Sequence, residues 1–132
     1  MGQFNFSIRT PVKEVRGLGS AKSGTGDFWR QRVTAVALVP LTLAFIAILI
    51  CASTRTDYES ARALIGHPVT AIILLLFIVV GMIHGRIGMQ IIIEDYLHHE
   101  GTKVVAVIAN TLFSAAIAVA AVFAVLKISF GV

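Results

Sequence analysis

Three stretches of this chain are long and nearly free of charge, and no other feature limits the fold so strongly. Val33 to Thr54 contains no charged residue, Val69 to Ile93 is interrupted by His84 and Arg86, and Val104 to Leu126 contains none. At a rise of ~1.5 Å per residue, about 20 residues cross the ~30 Å hydrocarbon core of a bilayer. In lipid the backbone must satisfy its own hydrogen bonds, so runs of this length are helical. The sequence predicts an all-α integral membrane protein with three transmembrane helices, over about 33–54, 69–93 and 104–126. Composition agrees: 57% of the 132 residues are apolar and 14% are charged, with a mean hydropathy of +0.87. A soluble domain of 14.1 kDa could not bury that much apolar surface. The same figures exclude a disordered chain. The single cysteine, Cys51, excludes a disulfide scaffold.

Charge is distributed unevenly. Residues 1–31 read as a polar, basic arm and residues 32–132 as the membrane domain. The formal net charge is +4, and six of the eleven Lys and Arg residues lie between Arg9 and Arg32. No aromatic stacking platforms accompany them, which argues against nucleic acid. A basic flank ahead of a first span instead marks the cytoplasmic or matrix side. That orientation puts the 54–67 connection outside, the 94–103 loop inside and the C-terminus outside. Phe28 and Trp29 sit where amphipathic rings belong at the headgroups. No cleavable signal peptide is evident. The stretch Gly17 to Ser23 hints at a phosphate loop, but Arg16 and Ala21 stand where that pattern needs glycine.

Ionisable groups inside a span cost roughly 2.5–3.5 kcal/mol each at the helix centre. His84 is one such group. At 100° per residue it shares a helix face with Gly81, Gly88, Ile91 and Asp95. Glycines on both sides of an imidazole let a flat macrocycle approach the backbone, as an axial haem ligand requires. The same glycines suit close helix packing, with the histidine hydrogen-bonded across an interface. No second histidine lies within a span, so a six-coordinate haem needs its other ligand from a partner chain. Arg86 points to a different face. Its long side chain can snorkel to the inner surface, or pair with a propionate or a partner carboxylate.

Glu94, Asp95 and Tyr96 end the second span on the inner side. They read as solvated loop or as a quinone-head site. In the second case the Tyr96 phenol donates to a quinone carbonyl, and the Asp95 carboxylate orients it and passes protons. Asn110, Thr111 and Ser114 read as polar glue between helices. His98 and His99 read as solvated rather than metal-binding.

The run His84-Gly85-Arg86-Ile87-Gly88-Met89-Gln90, followed by Asp95-Tyr96, resembles the signature of the small hydrophobic anchor subunit of succinate dehydrogenase. Asp27-Phe28-Trp29-Arg30-Gln31-Arg32-Val33-Thr34-Ala35 is similar to the start of that family's first span. The resemblance covers about residues 27–126. It implies that His84 is one axial ligand of haem b and that the cytochrome b-type C anchor subunit supplies the other. It implies that Tyr96 bonds a ubiquinone carbonyl, that Asp95 supports it, and that Arg32 lies near the haem propionates. The implied partners are the flavoprotein, iron–sulfur and C subunits, in a bacterial or mitochondrial inner membrane. The function expected is therefore a subunit, not catalytic alone, that anchors succinate dehydrogenase and shapes its quinone-reduction site. An anchor of a fumarate reductase, or a proton-relay subunit using His84, Arg86 and Asp95, are the alternatives. Arg86 falls where that family carries no expected fixed charge, and the 1–26 arm carries no motif.

Overall fold

The computed structural model describes residues 24–131. Most of the basic arm and the Gly17–Ser23 segment lie outside the described residues. Four helices follow in order: α1, Gly24–Ser53; α2, Tyr58–Gly66; α3, Pro68–Tyr96; and α4, Glu100–Phe130. No strand occurs among the described residues. α1, α3 and α4 are long and apolar enough to cross a membrane, in agreement with the three expected spans.

The helices extend beyond the apolar runs. α1 begins at Gly24, so its first turns carry the polar sequence that precedes Val33, with Asp27 near the positive end of the helix dipole. It continues through Pro40. The expected 54–67 connection contains a short helix, α2. Asp57 caps it, accepting hydrogen bonds from the Ser60 backbone N–H at 2.9 Å and from the Ser60 hydroxyl at 2.7 Å. Those bonds lower the Asp57 pKa from its ordinary 3.8. Pro68 opens α3, where a missing N–H costs nothing, and the His67 ring accepts the Val69 N–H at 3.3 Å. The loop between the second and third spans is shorter than 94–103. Glu94, Asp95 and Tyr96 form the last turn of α3, and α4 starts at Glu100. Gly131 closes α4 in the left-handed conformation, φ 73°, which glycine adopts without penalty.

α3 is the middle helix of a row. It packs against α1 on one side and α4 on the other, while α2 also packs against all three. Both long pairings are antiparallel. Along α1, Gln31 and Thr34 meet His84, Leu38 faces Gly81 and Phe45 stacks on Phe77 at 4.4 Å. Along α4, Asn110 and Thr111 meet Arg86, and Val125 joins the core formed with Ala71 and Leu74. That core lies at the α2 end of the bundle, far from His84. Little else is buried. Val36 is 73% exposed, Leu43 66% and Val119 69%, a surface that only lipid or another apolar chain can cover.

Candidate functional site

His84 sits near the middle of α3, with its ring half-buried against α1. Two α1 side chains, three residues apart and so on one helix face, reach it. The Thr34 hydroxyl oxygen lies 3.0 Å from His84 Nδ1. The Gln31 amide nitrogen lies 3.5 Å from His84 Nε2, at the outer limit of a hydrogen bond. Gln31 Oε1 is buried and has no hydrogen-bond partner among the described residues. Neither Gln31 nor Thr34 stands out in the sequence as a candidate. Their signal is faint: two polar residues, one turn apart, at the N-terminal end of an apolar run.

The glycines flanking His84 lie under α1. A Cβ on Gly88 would come within 3.2 Å of Gln31 Nε2, and one on Gly81 within 3.9 Å of Leu38 Cδ2. The bare backbone therefore admits a neighbouring helix, the second of the two uses its spacing suggests. In both places what fills the gap is the end of a flexible side chain. Gly85 faces open space and lines an apolar groove with Met82, Met89, Asn110, Phe113 and Ser114 on the α4 side of α3.

These contacts bear on whether a haem fits. A ligating histidine bonds iron through one nitrogen and donates its other N–H to a neighbouring acceptor. Thr34 supplies such a neighbour at Nδ1. Nε2 is faced only by the Gln31 amide, through a long contact that leaves the amide's own oxygen unmatched. The donor set fits a haem nitrogen ligand once Gln31 withdraws. No three His, Cys, Asp or Glu side chains converge among the described residues.

The other candidates lie elsewhere. Arg32 is exposed, and its guanidinium rests over the Phe28 ring at 4.3 Å. Asp95 and Tyr96 are exposed at the end of α3, ~16 Å along the axis from His84. They are not brought together with it. Arg86 faces α4: its Nε donates to the Thr111 hydroxyl at 3.3 Å, and Asn110 Nδ2 donates to the Arg86 carbonyl at 3.0 Å. Ser114 is buried one turn further on. Asn110 and Thr111 thus join helices as their residue types suggest. His98 and His99 are exposed in the loop between α3 and α4, and Cys51 is free and exposed.

Three apolar helices whose outward faces are bare, with a polar cluster held between α1 and α3, define an integral membrane subunit built to lie against lipid and other chains. The chain belongs to the succinate dehydrogenase/fumarate reductase transmembrane subunit family, whose pattern it matches over residues 7–126. It is 39% identical over 122 residues to the succinate dehydrogenase hydrophobic membrane anchor subunit of Paracoccus denitrificans, covering 92% of this chain and 93% of that one. It is 31% identical over 120 residues to the subunit of the same name from Rickettsia bellii (strain RML369-C), covering 91% and 95%. The succinate dehydrogenase membrane anchor subunit of Reclinomonas americana is 34% identical over 90 residues, 65% of this chain and 73% of its own. No solved structure matches the chain. The family expected from His84 to Tyr96 is thereby borne out.

Proposed function

We propose that this chain anchors a succinate dehydrogenase to the membrane, ligates one side of haem b through His84 and forms part of a ubiquinone-reduction site with Tyr96 and Asp95. The carrying observation is the His84 ring, with Nδ1 engaged by Thr34 and Nε2 left to a displaceable amide. Near-full-length likeness to named anchor subunits supports the same assignment. Haem b, bound, supplies one-electron redox capacity within the bilayer. Its second ligand comes from a cytochrome b-type partner, since His84 is the only histidine within a span.

Each residue has a bounded task. His84 holds iron. The Tyr96 phenol donates a hydrogen bond to a quinone carbonyl at the membrane boundary, where both water and a redox partner are within reach. Asp95 orients that bond and passes protons from the inner aqueous side, two for each two-electron reduction to quinol. Arg32 lies toward the propionates, and its place over Phe28 leaves the guanidinium exposed to such a group. The N-terminus is cytoplasmic or in the matrix, with residues 1–31 as a basic arm on that side and 32–132 as the membrane domain. The flavoprotein and iron–sulfur subunits dock on that inner face and deliver electrons from succinate.

Affinity purification of the tagged full chain from its native membrane tests the proposal. The expected result is co-purification of a flavoprotein and an iron–sulfur protein, with a haem absorbance that succinate reduces. Recovery without flavin or haem contradicts it.

A further inference from the structure

The Thr34 hydroxyl has one proton, and the structure gives that proton a destination. Thr34 Oγ1 lies 2.7 Å from the Arg30 carbonyl, one turn back on its own helix, and 3.1 Å from that of Gln31. The shorter contact takes the proton, a bond that Thr commonly makes inside helices. The hydroxyl oxygen then faces His84 Nδ1, at 3.0 Å, with lone pairs only. A nitrogen in that position must carry the hydrogen. On the other side of the ring, the Gln31 amide nitrogen can only donate, so Nε2 must accept. One tautomer satisfies both contacts: hydrogen on Nδ1, lone pair on Nε2.

We infer that Thr34 is a positioning residue for His84, fixing the tautomer and ring angle that present Nε2 to haem iron. This rests on the proposal that His84 is a haem ligand. An N–H held by an acceptor makes an imidazole a stronger electron donor, and hydrogen bonding around a ligand is one of the levers on haem potential. The Arg30 carbonyl, by taking the hydroxyl proton, leaves the oxygen free to accept. Gln31 is a stand-in partner whose buried Oε1 goes unmatched in this arrangement, so its withdrawal exchanges an incomplete contact for a metal bond.

The test is a potentiometric titration of the purified complex, followed at the haem b absorbance, in the wild type, Thr34→Val, Thr34→Ser and His84→Leu. Valine keeps the branched shape and removes the acceptor. The expected result is a higher midpoint potential and an altered low-spin EPR signal in Thr34→Val, both restored in Thr34→Ser, with succinate oxidation by artificial acceptors unchanged. Loss of haem from Thr34→Val with retention in Thr34→Ser carries the same conclusion. A wild-type potential and EPR signal in Thr34→Val, while His84→Leu lacks haem, overturns the role of Thr34 and leaves the ligand assignment standing. Loss of haem from Thr34→Val and Thr34→Ser alike overturns it too, because the hydroxyl is then not what matters. Full haem content in His84→Leu overturns the ligand assignment and the inference together.

Discussion

His84 and Arg86 stand two residues apart on α3 and meet different neighbours. On the α1 side, an imidazole is gripped by a hydroxyl at one nitrogen, while the amide at the other leaves its carbonyl oxygen buried and unmatched. On the α4 side, Asn110 donates to the Arg86 carbonyl, and the Thr111 hydroxyl donates to the Val107 carbonyl while accepting from Arg86 Nε. Among the described residues the second seam leaves no buried side-chain polar atom unmatched. The first leaves one. An unmatched polar atom in an apolar place is costly, on the order of 1–3 kcal/mol. Two polar seams at one level of α3 are thus unequally satisfied.

Substitutions separate the two. The largest effect belongs to His84→Leu, which removes the nitrogen donor. The haem b absorbance per flavin falls to near zero in the purified complex, while the α3–α4 contacts are untouched. Retention of that absorbance would break the contrast at once. Tyr96→Phe comes next, although it lies in neither seam. Losing one hydrogen bond of about 0.5–1.5 kcal/mol slows quinone reduction roughly two- to tenfold. Succinate oxidation by artificial acceptors stays at wild-type rates, and equal loss of both activities would point to failed assembly. Asn110→Ala loosens the α3–α4 seam by about 0.6 kcal/mol, the usual worth of a hydrogen bond between membrane helices. Its checks are a slightly lower denaturation midpoint of the complex in detergent and an unchanged haem potential.

The smallest effect concerns the α2 end of the bundle. Asp57 caps α2, and its bonds to Ser60 hold its pKa below 3.8. A carboxylate lowered on folding stabilises above its unfolded pKa, and that help is lost as pH falls through the lowered native value. Amide exchange at Ser60 and Ala61 accelerates in Asp57→Ala at neutral pH. The wild type approaches the mutant only in the acid range below 3.8.

The three spans were legible because charge is nearly absent from them, a signal that survives without any tertiary information. α2 was not. Its nine residues, Tyr58–Gly66, sit among polar neighbours and make an amphipathic face too short to register against the spans. Glu94 to Tyr96 reads as loop by polarity, yet the helix carries on because its hydrogen bonds continue after its apolar face ends. His84 was legible since an ionisable group in lipid demands a reason. Thr34 and Gln31 were not, because a hydroxyl or an amide near a helix end is ordinary. Their meaning arises only when α1 and α3 align in antiparallel register. The flanking glycines admit both a macrocycle and a helix, and only the packing of Leu38 and Gln31 shows which one this chain itself supplies.

A density map of the assembled complex, resolved to side chains around residue 84, tests the central claim most directly. Expected are a porphyrin edge against α3, iron bonded to His84 Nε2 and to a ligand from a second chain, Thr34 still on Nδ1, and Gln31 turned away. A His84 ring enclosed by protein and lipid alone, with no porphyrin beside it, would contradict the account.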